Sequence, residues 1–142
     1  MPRPLVPDST VFVRAIQTGN RSFLFRILRG EVWLSSVVVC ELLSGTRSQA
    51  ERDDLRLLVR DAAVADRLLV PSLEDWQLAG TLIARRARLM GAVRPWDHLG
   101  DVLILICAAR IRGEVATANL RHFNAWADLA RRAGLDVTVA AA

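Results

Sequence analysis

Three carboxylates in this sequence of 142 residues stand where an ionised side chain is costly. Asp8 follows the short apolar stretch of "LVPDSTVF", Glu41 lies inside "SVVVCELLSG", and Asp101 opens "DVLILICAAR", with eight apolar residues between it and Arg110. A charge beside so much hydrocarbon needs a partner. Several acids facing one another repel unless a cation joins them, and hard divalent ions prefer oxygen. Mg²⁺ takes one or two carboxylates, keeps several waters and binds substrate phosphates in its remaining positions. Such a centre can activate a water and stabilise the charge that builds up as a phosphodiester is cleaved. With two ions, roughly 3.5–4 Å apart, it can hold both the attacking and the leaving oxygen. Asp101 alone has a plainer reading, a first-turn acid favoured by the helix dipole. The joint placement of Asp8, Glu41 and Asp101 favours the metal.

The elements that must position these acids are legible in outline. A strand over residues 4–7 delivers Asp8 at its C-terminal end. Ser9 or Thr10 caps a helix through Gln17, which Gly19-Asn20 ends, and "RSFLFRIL" is a second short helix closed by Gly30. "EVWLSS" reads as a strand to Ser35, followed by a helix with Ser36 as cap and Gly45 as stop. Leu55, Leu58, Ala62 and Ala65 recur at helical spacing and predict an amphipathic helix within residues 49–69. "LLVP" is a short strand. Residues 74–90 form a helix with Trp76, Ala79, Ile83, Ala87 and Met90 on one face, and 91–96 form a loop. Asp97 caps a helix through Ile111, ended by Gly113. "EVATA" is a strand, "NLRHFNAWADLARRAG" a helix and "DVTVA" a last strand. Strands alternating with helices predict one α/β domain over residues 1–142, with a parallel sheet covered on both faces. In such sheets, sites form outside the C-terminal strand ends. Asp8, Glu41 and Asn119 each follow a strand, and Asp101 opens the helix that leads into the "EVATA" strand, so the four can meet at one edge.

Composition narrows the partners. The 19 basic residues are all arginine and the net charge is +4, a surplus of planar guanidinium forks suited to phosphate. With 52% apolar residues the chain should fold rather than remain disordered. Its longest apolar run, residues 102–109, is far short of the roughly 18 residues of a membrane span, and the N-terminus lacks the pattern of a secretory signal. A soluble, cytoplasmic protein with no membrane contact is expected. Cys40 and Cys107 read as buried free thiols, and there are too few Cys and His for a zinc site. No G-x-G-x-x-G or G-x-x-x-x-G-K loop is present to bind a nucleotide.

The stretches "LVPDSTVF", "LSSVVVCELLSG", "GDVLILICAARIRG" and "VATANLRHF" resemble, in order and spacing over nearly the whole chain, the four acidic-patch motifs of PIN-domain ribonucleases, and among these the VapC-type toxins of bacterial toxin–antitoxin pairs. The resemblance implies a three-layer α/β fold with a central, mostly parallel sheet flanked by helices. It also implies a homodimeric endoribonuclease dependent on Mg²⁺ or Mn²⁺, acting on RNA and silenced by a cognate antitoxin protein. By position, Asp8, Glu41 and Asp101 become the metal-binding acids. Asn119 takes the fourth catalytic position, with Thr117 two residues before it. Many family members carry Asp where this chain has Asn119. An amide oxygen can hold water or substrate but adds no negative charge, which suggests weaker or single-ion binding. Asp97, one helical turn before Asp101, can supply the missing charge or serve simply as a helix N-cap. Ser9 can hydrogen-bond near the metal or fill a turn.

The remaining features have plain alternatives. Arg52, Arg56 and Arg60 line one helix face, either as a solvated row or as a stripe that tracks RNA phosphates. Trp96 precedes the Asp101 helix and is the tryptophan placed to stack on a base; the others suit core or dimer contacts. His98 and His122 look too isolated for a catalytic pair, His122 suiting a packing or capping role and Phe123 the core. The rival to catalysis is a binding module that keeps the fold and holds RNA or a protein through its basic surface, with Asn119 as its support. A purely structural domain with buried, protonated acids is the third option.

Overall fold

Pro7, the last residue of the first strand, has no N–H to offer a neighbouring strand. In the computed structural model, which describes residues 2–142, this strand, β1 (Leu5–Pro7), runs parallel to β4 (Glu114–Thr117), with Leu5 opposite Glu114 and Pro7 opposite Ala116. β4 in turn runs parallel to β5 (Thr138–Ala141). β2 (Leu34–Ser35) and β3 (Leu68–Leu69) form a second parallel pair. A bridge between Leu5 and Val32, with the Trp33 N–H donating to the Leu5 carbonyl at 2.9 Å, joins the two groups. The resulting order is β3-β2-β1-β4-β5, and it reverses direction between β1 and β4. A crevice therefore opens at the C-terminal ends of those two strands, where α/β sheets bind their ligands.

Between the strands run α1 (Ser9–Gln17), α2 (Arg21–Leu28), α3 (Ser36–Ser44), α4 (Gln49–Val64), α5 (Leu73–Met90), α6 (Pro95–Arg110) and α7 (Leu120–Arg132). The expected α/β architecture is the one observed. α6 forms the centre of the packing: Val102 to Ala108 are all buried, and a helix apolar all round must be covered on every side. It is covered by α5, α7 and α3 and by β4. α7 is amphipathic instead, burying Phe123, Trp126, Ala127, Leu129 and Ala130. No helix among the described residues is long and apolar enough to cross a membrane.

Local chemistry moves several boundaries. Ser35, not Ser36, caps α3, its side chain accepting from the Val37 N–H at 3.2 Å. α4 stops at Val64, and Asp66 takes a left-handed φ of 56° to turn the chain into β3. α6 begins at Pro95, which suits a first helical position because it has no N–H to leave orphaned. Asp97 is thus the third residue of α6 rather than its cap, and Arg94 holds the cap position without a side-chain bond. Trp76 and Met90 are exposed rather than on the buried face of α5, which uses Ala79, Leu82 and Ile83. Cys40 is exposed; only Cys107 is a buried thiol.

Gly113 lets β4 approach β1. A Cβ there would meet the Pro4 carbonyl oxygen at 3.1 Å, the Ala108 carbonyl oxygen at 3.2 Å and Val6 Cγ2 at 3.3 Å. Two of the three are backbone atoms with little freedom to yield. Gly113→Ala is expected to destabilise the protein by about 1–3 kcal/mol through overpacking, seen as a lower urea midpoint with unchanged slope.

Candidate active site

Asp8 is the N-cap of α1 and is only 3% exposed. Its backbone N–H continues the β1–β4 ladder to the Ala116 carbonyl at 2.9 Å, so its position is set by the sheet. Its side chain is held from both strands' ends. Oδ1 accepts from Thr10 Oγ1 at 2.5 Å and from the Val11 N–H at 3.3 Å, and Oδ2 accepts from Thr117 Oγ1 at 2.6 Å. Thr117, wholly buried at the end of β4, accepts in turn from the Asn119 N–H at 2.9 Å. The pairing of Asp8 with Thr117 thus spans the switch point.

Glu41 lies on α3, just past β2, and Asp101 is the seventh residue of α6. That depth removes the helix-dipole explanation for Asp101, because the dipole's influence fades within the first turn. Both acids hold their protons more tightly than usual. For Glu41 burial is the largest cause, followed by the negative charges of Asp101 and Asp8; the Ser9 side chain works in the opposite direction. For Asp101 burial again dominates, and Asp8 adds to it. The charge and hydrogen bond of His122 and the charge of His98 oppose the rise. The fold therefore brings the charges of Asp8 and Asp101 to bear on Glu41, and that of Asp8 on Asp101.

The chain's many guanidiniums do not relieve this. Among the described residues no arginine pairs with Asp8, Glu41 or Asp101. Asp75 shows the contrast: buried like Asp8, it closes a capping box with Ser72 and pairs with Arg110, Nε to Oδ2 at 3.2 Å. The one basic partner at the acidic edge is His122, whose Nε2 lies 2.8 Å from Asp101 Oδ2. No local pattern signals this contact, because α6 and α7 pack side by side only in the folded chain.

The donor set suits a hard divalent cation in kind: carboxylate oxygens whose repulsion a positive charge would relieve. Among the described residues no group of three or more His, Cys, Asp or Glu side chains is arranged to hold an ion. Asn119 is exposed at the N-cap of α7 and makes no capping bond with its side chain. Asp97 is exposed, and its charge is not among those that move Glu41 or Asp101.

An open groove of about 430 Å³ is lined by Val37, Cys40, Trp76, Trp96, Leu99 and Gly100, among others. Cys40 and Gly100 directly precede Glu41 and Asp101 in the chain, but the acids themselves do not line the groove. Trp96 is 81% exposed there. The arginine row on α4 is elsewhere engaged. Arg52 donates to Gln49 Oε1 at 3.3 and 3.4 Å, Arg56 stands 3.6 Å from Asp53 and Arg60 3.5 Å from Asp61. Trp126 and Phe123 are core residues.

The family profile described as PIN domain matches residues 5–129. No curated protein matches the chain.

The raised proton affinities give a pH dependence whose sign is fixed. An acid that is harder to ionise when folded binds more protons in the native state between its ordinary value, 4.5 for Glu41, and its raised one. Stability then falls as pH rises through that interval and stays lower above it. With metal chelated at pH 7, Glu41→Gln is therefore expected to melt at a higher temperature than the wild type. Below pH 4.5 that advantage should vanish, as followed by circular dichroism.

Proposed function

The chain belongs to the PIN-domain family, and from that premise we propose that it is a metal-dependent endoribonuclease, the VapC-like toxin of a toxin–antitoxin pair. PIN domains are generally nucleases and generally use divalent metal ions. The observation that carries the reading is that the charges of Asp8 and Asp101 bear on Glu41, and that of Asp8 on Asp101, while no arginine among the described residues pairs with any of the three.

Asp8, Glu41 and Asp101 are the side chains that would supply carboxylate oxygens to Mg²⁺ or Mn²⁺. When bound, such an ion supplies Lewis acidity and a lowered pKa for water at the scissile phosphate. The protein's own residues do the rest. Thr10, Thr117 and the Val11 N–H fix the Asp8 carboxylate as an oriented acceptor, and Ser9 stands beside Glu41. Asn119 offers an exposed amide at the same edge, able to hold water or a substrate oxygen in line without adding charge. Trp96 and the groove beside it take an unpaired base by stacking, which tolerates any sequence because every base has a π-face. Arg56 and Arg60 sit in exposed pairs that contribute little to stability, so RNA phosphates can take their guanidiniums, with Arg52 following on the same face.

The antitoxin and a second copy of the chain are the protein partners this reading entails. Exposed Ile16, Phe25 and Leu28 on α1 and α2 provide apolar surface of the kind such contacts use. A second reading, a PIN-fold module that binds RNA or protein without cutting, draws on Asn119, where the fourth carboxylate of the family pattern is missing.

Cleavage of total RNA by the wild type, Asp8→Ala and Asp101→Ala, with and without EDTA, separates the two. Metal-dependent cutting by the wild type and background cutting by both variants is expected. Equal cleavage in all samples would sink the nuclease reading, and RNA affinity retained in EDTA with no Mn²⁺ binding would favour the module. In the Asp8→Ala background, where substrate survives, Trp96→Ala is expected to weaken binding of single-stranded RNA by about 1–3 kcal/mol, measured by fluorescence anisotropy.

A further inference from the structure

His122 stands in the first turn of α7, and its contact with Asp101 has a geometry beyond packing. The Nε2–Oδ2 separation of 2.8 Å is that of a charge-assisted hydrogen bond, with Nε2–H donating to the carboxylate. Both the imidazolium and the Nε2–H tautomer can donate in this way. The terminal torsion of an aspartate is broad and roughly two-fold. A bond to one oxygen therefore settles how the other is presented.

The imidazole is itself held. It stacks on the His98 ring with centroids 5.6 Å apart and planes 28° apart, and it meets Phe123 edge-on at 6.1 Å. His98 leans on buried Trp126 at 5.3 Å, and the Arg86 guanidinium lies 5.2 Å from the same indole. Neither His98 Nδ1 nor Arg86 Nε has a hydrogen-bond partner among the described residues, although both atoms are buried. The stack is thus held by ring contacts, and it fixes the plane from which His122 reaches Asp101.

We infer that His122 is a positioning residue: its Nε2–H orients Asp101 so that the opposite carboxylate oxygen faces the edge shared with Asp8 and Glu41. Five residues earlier, at the end of β4, Thr117 donates to Asp8 Oδ2 at 2.6 Å. The β4–α7 junction thus carries the partners of two carboxylates that arrive from different elements. The inference rests on the metal-dependent nuclease reading and assigns it a residue that ligates nothing. Partners of this outer kind orient ligating groups, and their loss costs about 10–100-fold in metal affinity or activity.

Two amide variants separate positioning from space filling. Gln places its amide nitrogen near the Nε2 position and keeps a donor for Asp101; Asn places its nitrogen near Nδ1 and falls short. Mn²⁺ affinity of the full chain, read from the electron paramagnetic resonance signal of free Mn²⁺, is expected to fall about 10–100-fold in His122→Asn and to stay close to wild type in His122→Gln. On RNA the loss in His122→Asn should appear in kcat with KM nearly unchanged, and the melting temperatures of the two variants in EDTA should agree. Equal Mn²⁺ affinities for the two variants would overturn the inference. A wild type that binds no Mn²⁺ overturns the nuclease reading itself, and the role of His122 with it.

Discussion

Like charges brought together at the C-terminal edge of a parallel sheet are the constraint on which the site depends. Asp8, Glu41 and Asp101 come from three different elements, and burial together with their neighbours' charge makes Glu41 and Asp101 reluctant to ionise. A structural acid is treated differently in the same molecule, since Asp75 has both a capping role and a guanidinium. With arginine so abundant, the absence of one at the three-acid edge among the described residues distinguishes that edge chemically. Its repulsion is available to be relieved by a cation.

Several elements of the fold bear on where these acids lie. The strand order reverses between β1 and β4, so the two ends that carry Asp8 and Thr117 lie side by side. Gly113 permits the close approach of those strands. α6 is apolar on all sides and therefore sits deep between α3, α5, α7 and β4, placing Asp101 nearly two turns into a helix, where its own dipole cannot stabilise it. α7 then brings His122 over Asp101. Glu41 and Asp101 lie on helices and Asp8 at a helix cap, so secondary structure rather than loop positions these side chains.

Much of this was legible along the chain. The strand–helix alternation predicts the parallel sheet, and the strands expected over residues 4–7 and "EVATA" match the observed Leu5–Pro7 and Glu114–Thr117 to within a residue. What failed were one-residue decisions at helix starts and judgements of exposure. Ser35 outcompeted Ser36 as a cap because its extended backbone lets the hydroxyl reach the Val37 N–H. Pro95 moved the start of α6 ahead of Asp97. Cys40 and Trp76, in apolar surroundings by sequence, line an open groove because α3 and α5 turn those positions away from the core. Local composition carries no information about which neighbour covers a face.

The sequence by itself determined the periodicities, the apolar helix that becomes the centre of the core, and the order in which the acids occur, because these depend on backbone geometry and side-chain type within a few residues. Only the tertiary structure decided which charges meet. Thr117 reaches Asp8 and His122 reaches Asp101 across separations in sequence that no local pattern encodes. Those contacts exist because strand pairing and helix packing fix distances to a few ångströms between residues that the unfolded chain keeps far apart.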